Sequence, residues 1–273
     1  MTLQNVKDKK FETQDINLFQ IWDEIQRVQA NFCFAQEISA YYMSERWTKT
    51  ATNILDVGTG NGFFLKMLSE CFPDKSYTGI DISEEFIEKA KQDQENSNIS
   101  YKIQDYFNAQ GQFDFIIMRL FWQHLPLKKL TNALTKLEKL TKPGSSVLIT
   151  DSWDRARVFE PGLPEFCKVI SAYTKQQIES NRDRNIIEIL LKKFVQTDKW
   201  ELKFDLKIII PSTVNNNLQL FRRTYDLWIK LFECLGELKI DYTAAKEELG
   251  NWKKDNSAYT QAGIRVIQLD RLE

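Results

Sequence analysis

This chain has one histidine, four cysteines and six prolines among 273 residues, which leaves little material for metal or disulfide chemistry. Cys33, Cys71, Cys167 and Cys234 stand far apart in apolar, helix-like surroundings. They read as reduced core thiols, and neither a zinc site nor a disulfide framework is expected. No apolar run reaches the length of a membrane span, and residues 1 to 15 lack the apolar centre of a signal peptide. The expectation is a cytoplasmic protein with no membrane association. Neither sign of charge is in excess: 37 Lys and Arg oppose 38 Asp and Glu, a net charge of -1. A nucleic-acid partner is therefore not expected, since phosphate binding rests on a positive surface. Repeats and low-complexity tracts are absent; Asn215 to Asn217 is a short loop before a helix. What remains is 42% hydrophobic and 12% aromatic, enough for one large domain with a sizeable core.

The most informative stretch runs from Asn53 to Gly62. An apolar run (Ile54, Leu55, Val57) stops at three glycines (Gly58, Gly60, Gly62), and a helical pattern begins at once with Phe63. This order of strand, tight turn and helix start lets backbone N–H groups approach a nucleotide-type ligand. Dinucleotide-binding loops space their glycines G-x-G-x-x-G; here the spacing is G-x-G-x-G, with Asp56 two residues ahead. A carboxylate there would repel a pyrophosphate and attract a cation such as an α-ammonium group. The implied ligand has a nucleoside and an amino-acid end.

Asp56-Val57-Gly58-Thr59-Gly60-Asn61-Gly62 resembles the first motif of class I S-adenosylmethionine-dependent methyltransferases. Two further strand ends support the resemblance. Tyr77 to Asp81 ends in an acid 19 positions after Gly62, and Tyr101 to Tyr106 carries Asp105 at its end. The resemblance covers roughly residues 50 to 152, with a looser match at the C-terminus. It implies S-adenosylmethionine as cofactor, with Asp56 on the ammonium and Gly58 and Gly60 allowing close approach of the methionine part. It also implies Asp81 on the ribose hydroxyls, Ile82 beside the adenine, Asp105 on the adenine amino group, and Tyr106 or Phe107 against the ring. Asp81 also fits a helix-capping role before Ser83, and Asp105 an ordinary turn.

Alternating strands (52–57, 76–81, 99–104, 113–118, 146–150) and helices (61–71, from Ser83, 126–141) argue for a parallel sheet with right-handed crossovers. Residues 14 to 46 show two amphipathic helices, with Leu18, Trp22 and Ile25, then Ile38, Tyr41 and Tyr42, at helical spacing. Trp200 to Ile210 and Ile264 to Leu269 are strand candidates with helices at 218–235 and 242–252 between them. The expected fold is α/β: a Rossmann-like, seven-stranded, mostly parallel sheet with an antiparallel edge strand, N-terminal helices and a helical insertion near the C-terminus. The expected division is an N-terminal helical cap at 1–50, the core at 51–210, a helical lid at 211–260 and a final edge strand at 261–273.

On the acceptor side, His124 follows the fourth strand, where open α/β sheets keep their chemistry. It is a candidate general base or a residue that packs the next helix. Arg119 and Trp122 are candidates to line the reaction centre, and Arg119 also to touch cofactor. Asp151 to Asp154 is a candidate pocket rim. Phe221, Tyr225, Trp228 and Phe232 form an aromatic stripe, read as core with part of it roofing a pocket alongside Trp22, Tyr41, Tyr42 or Trp47. Arg182-Asp183-Arg184 reads as a solvated charged turn, with contact to a lid or an acidic substrate as the other reading. The function expected is methyl transfer to an oxygen or nitrogen of a small organic molecule by a monomer or homodimer. A protein or peptide methyltransferase, or a non-catalytic cofactor-binding sensor or partner subunit, stays open.

Overall fold

The structure is a computed structural model that describes residues 17–214 and 217–272. Residues 14 to 16 of the first expected helix, most of the Asn215 to Asn217 loop and Glu273 lie outside the described residues. Among the described residues the chain begins with one long helix, α1 (Leu18–Met43), followed by the short α2 (Glu45–Lys49). The two separate helices expected are thus one 26-residue helix and a single further turn. Ser44 makes the break, since its hydroxyl accepts the Trp47 N–H at 3.2 Å and caps α2.

The core alternates as expected: β1 (Asn53–Val57), α3 (Phe63–Cys71), β2 (Ser76–Asp81), α4 (Glu84–Gln92), β3 (Ile99–Ile103), β4 (Phe113–Arg119), α5 (Leu130–Leu140) and β5 (Thr141–Ser152). Ser83 caps α4 through the Phe86 N–H, with Glu84 and Glu85 in the first turn against the helix dipole. Beyond β5 come β6 (Val158–Glu160), α6 (Pro164–Glu179), α7 (Ile186–Val195), β7 (Trp200–Pro211), α8 (Asn217–Leu235), α9 (Thr243–Trp252) and β8 (Tyr259–Arg271). The sheet order is β3-β2-β1-β4-β5-β8, parallel through β5, with β8 antiparallel to β5 and β7 antiparallel to β8. The sheet has eight strands where seven were expected. The added one, β6, is three residues pairing with Tyr259 to Gln261, too short to leave a periodic signal.

Period-two alternation on β1 sends Ile54 to one core cluster and Leu55 and Val57 to the other. The first cluster takes up α1, α3 and α8; α1 packs on both other helices, and the Phe32 and Phe221 rings lie 4.6 Å apart. Helices at both ends of the chain therefore meet above the carboxyl ends of the parallel strands. In an open α/β sheet that is where the ligand crevice forms.

Candidate active site

The loop after β1 is left-handed at Gly58, Gly60 and Gly62 (φ 73°, 56° and 71°). Gly60 shows why the backbone must be bare: a Cβ there would stand 2.2 Å from Gln26 Oε1 on α1. Gln26 Oε1 accepts the Asn61 N–H at 2.9 Å, and the Asn61 amide donates to Asp23 Oδ1 at 2.8 Å, so α1 is bonded directly onto the loop. The Gly60 N–H donates to Asp81 Oδ2 at 3.0 Å and the Ser83 N–H to Asp81 Oδ1 at 2.9 Å. Each carboxylate oxygen keeps acceptor capacity for a further donor. Asp105 caps its own turn through the Phe107 N–H, and Ile82 stands exposed at the cavity wall.

Asp56 lies at the floor of this cavity with 4% exposure. Burial pushes its carboxyl up to about 6. A cation bound beside it would favour the ionised form. If Asp56 holds the cofactor ammonium, affinity for S-adenosylhomocysteine is level above about pH 6 and falls roughly tenfold per pH unit below, because binding must then expel a proton. Calorimetry at about pH 5 and about pH 7.5 checks this, and equal affinities would remove Asp56 from that role.

Arg119, at the end of β4, departs from expectation. Its guanidinium makes a two-pronged bond to Glu37 of α1 (Nε to Oε2 2.8 Å, Nη2 to Oε1 2.9 Å) and covers the Phe64 ring at 4.5 Å. Glu37 is 1% exposed. The pair fastens α1 across the end of the sheet, so Arg119 borders the cavity with its charge already taken. Glu37→Ala strands the arginine charge and is expected to destabilise the fold by about 3–5 kcal/mol, a fall in Tm of roughly 6–20 °C. Replacing both residues by apolar ones of similar size should return most of that loss, and thermal melts of the single and double variants make the comparison.

Past Arg119 the chain turns sharply. Leu120 is left-handed (φ 53°) although it carries a side chain, and its N–H donates to Thr150 O at 2.7 Å. Such a conformation stores about 1–3 kcal/mol and is concentrated at functional sites. It directs Phe121, Gln123 and His124 to the cavity and sends Trp122 the other way. Trp122 is fully buried in the second core cluster, so it is a packing residue and not part of the reaction centre. Tyr106 also belongs to that core. Its hydroxyl donates to Ala133 O at 2.7 Å and its ring packs on Phe107 and Phe121, and with both it also lines the cavity.

His124 is exposed to the cavity, yet surrounded by protein. Burial and the nearby Arg184 push its imidazole down to about 4, which keeps it neutral at physiological pH. The aromatic stripe of α8 (Phe221, Tyr225, Trp228, Phe232) lines the cavity along its whole length, with Trp22 opposite on α1. Tyr41 and Trp47 are buried in the core, and Tyr42 lies on the surface at 59% exposure, so none of the three reaches the pocket. The turn at 182–184 is not a solvated one. Arg182 and Arg184 line the cavity, and Arg184 pairs with Asp154, which also holds Arg157 at 2.7 Å. Asp154 carries two guanidinium groups; against burial, their charges hold it down near 2. Sequence reasoning missed Gln26, Glu37 and Arg157. Gln26 and Glu37 lie on α1 at ordinary helical spacing, and nothing local marks them as bonded to the glycine loop and to β4.

The cavity encloses about 440 Å³ and is continuous from Asp81, Ile82 and Asp105 at one end to Tyr173, Gln177 and Arg182 at the other. A parallel sheet with an antiparallel β7–β8 edge and an acid-then-glycine loop at its crevice defines a Rossmann-like, nucleoside-binding protein. A family model described as a methyltransferase domain matches residues 48–190, and the chain belongs to that family. Its class is that of the S-adenosylmethionine-dependent class I methyltransferases. Curated relatives include malonyl-[acyl-carrier protein] O-methyltransferase of Anoxybacillus flavithermus, 29% identical over 126 residues, 45% of this chain and 48% of that one. Another is malonyl-[acyl-carrier protein] O-methyltransferase 2 of Ilyobacter polytropus, 28% identical over 153 residues and 55% of each chain. The chain thus spans about half the length of these relatives. Among solved structures, the [4+2]-cyclase SpnF superposes with a TM-score of 0.51 at 14% identity over 84% of this chain and 78% of that one. A structure titled for conversion of a disulfide bond into a thioacetal group during echinomycin biosynthesis gives 0.51 at 15% identity over 85% and 81%. At that identity both speak for the fold.

Proposed function

We propose that this chain transfers a methyl group to an oxygen or nitrogen of a small organic acceptor held in the inner lobe of the cavity. The observation that carries the reading is the single continuous cavity, lined by acids and glycines at one end and by aromatic side chains with a neutral histidine at the other. When bound, S-adenosylmethionine supplies an activated methyl group on its sulfonium. The residues present fit it: Asp56 for the ammonium, Gly58 and Gly60 for backbone approach, Asp81 for the ribose, and Ile82 and Asp105 for the adenine. Phe221, Tyr225, Trp228 and Phe232 exclude water from the inner lobe and hold an apolar acceptor in line, where orientation alone removes about 7–11 kcal/mol from a barrier. His124 stands ready to take the acceptor's proton. The curated relatives are O-methyltransferases, which favours oxygen over nitrogen.

Residues 211–260 and α1 act as the two covers of the site in this reading. Among the described residues no helix is long and apolar enough to cross a membrane, and the four free thiols suit a reducing, cytoplasmic setting. Transfer of a labelled methyl group from S-adenosylmethionine to the small-molecule fraction of a lysate tests the proposal. Label found only in protein would move the assignment to a protein methyltransferase, and no label in any fraction would favour a cofactor sensor.

A further inference from the structure

Arg182 follows α6 at the wall of the cavity. It is 7% exposed and lines the cavity, and Nε has no hydrogen-bond partner. Among the described residues its guanidinium forms no ion pair. Burial lowers its pKa, and the carboxylate of Glu237, itself occupied by the Gln176 amide at 2.7 Å, acts on it only at longer range. A buried, unpaired arginine is costly unless a partner arrives.

The backbone shows how it is aimed. Helix α6 ends with the Asn181 N–H on Ile178 O and the Arg182 N–H on Gln177 O, both at 2.9 Å, with Asn181 left-handed at φ 57°. This is the Schellman ending, which ordinarily closes with an apolar contact between the two residues in the positions of Gln177 and Arg182. Here both are polar and both line the cavity. Asn181 also accepts the Leu127 N–H (2.7 Å) through its carbonyl and the Lys128 N–H (3.1 Å) through its side chain, tying this ending to the loop that carries His124.

We propose that the acceptor carries a carboxylate and that Arg182 receives it as the anchoring group, with the apolar remainder of the acceptor lying along the α8 stripe. The proposal rests on the methyltransferase reading and specifies its substrate class. The local charge balance favours a monoanion. Three arginines (Arg157, Arg182, Arg184) face two carboxylates (Asp154, Glu237), an excess of one basic group. Asp151 behind them is pushed up to about 7 by burial, so it adds no more than part of a charge at neutral pH. Arg157 Nε is a second donor without a partner lining the same lobe. A planar carboxylate matches a guanidinium fork in two places, whereas a dianionic phosphate would exceed the available charge.

The probes are 4-phenylbutanoate, 4-phenylbutanamide and 3-phenylpropyl phosphate, titrated calorimetrically into protein saturated with S-adenosylhomocysteine. The carboxylate should bind at least roughly tenfold tighter than the amide and tighter than the phosphate, since a charged hydrogen-bonded contact exceeds a neutral one by that margin. Arg182→Gln should abolish the difference between acid and amide, and Arg182→Lys should keep part of it, both variants melting no lower than wild type and keeping affinity for S-adenosylhomocysteine. Equal binding of acid and amide, a preference that survives Arg182→Gln, a preference for the phosphate, or no binding of any probe at millimolar concentration would each overturn the proposal. Failure of wild-type protein to bind S-adenosylhomocysteine at all would instead overturn the reading on which it rests.

Discussion

Asp81→Ala is expected to lower affinity for S-adenosylhomocysteine by about 10²–10⁴-fold. A carboxylate that accepts two ribose hydroxyls makes two charge-assisted hydrogen bonds, each contributing roughly 1.5–3 kcal/mol. The same carboxylate organises its surroundings through the Gly60 and Ser83 N–H groups. Truncation therefore removes ligand contacts and also frees two buried donors in the glycine loop. Asp81→Asn separates the effects, because it keeps an acceptor oxygen while removing the charge, and it should fall between wild type and Asp81→Ala. Calorimetric titration of the three proteins gives the comparison; an alanine variant within threefold of wild type would remove Asp81 from the cofactor site.

His124→Ala is expected to lower kcat by roughly 10²–10⁴-fold with cofactor affinity nearly unchanged. The reason is its exposure to the inner lobe and its neutral state. The pH profile carries the sharper test. A histidine of ordinary pKa would put a rise in activity near pH 6.5, which is what its sequence position alone suggests. In the folded protein burial and Arg184 lower the value to about 4, so the base form is fully populated across the neutral range. Turnover should be flat through neutral pH and decline only as pH falls towards about 4. Stability has a related dependence: the unfolded chain binds a proton near pH 6.5 that the folded chain refuses, so the contribution is complete above that value and is lost as pH falls through it towards about 4. An alanine variant with full turnover would leave His124 as a lining residue and place catalysis on orientation alone.

The glycine-loop end of the cavity was legible from the sequence because its determinants are local. Asp56 and Asp81 lie at the ends of their strands and the three glycines follow the first, so the order of apolar run, acid and turn marks where the loop must lie. The far end of the cavity was not. Arg119 and Trp122 follow β4 and invite a catalytic reading. The left-handed Leu120 reverses the outward order of the next side chains, and Glu37, 82 residues earlier in the chain, takes up the arginine. Arg182 was masked by its neighbours, since a run of Arg, Asp and Arg looks solvated. Burial there accompanies the α6 ending, and α6 meets α8 through the Tyr173 and Phe232 rings, 4.6 Å apart, a contact between segments far apart in sequence. The aromatic stripe of α8 serves both readings it allowed: Phe221, Tyr225 and Phe232 are core by exposure and pocket wall by position.

The central claim is that the crevice above β1 and β2 is built for a nucleoside joined to a cationic amino-acid end. Calorimetric titration of the full chain with S-adenosylhomocysteine, beside NADH as a pyrophosphate-bearing control, tests it most directly. One molecule of S-adenosylhomocysteine bound per chain, with no heat from NADH, is the predicted result; silence from both S-adenosylhomocysteine and S-adenosylmethionine, or binding of NADH in their place, would contradict it.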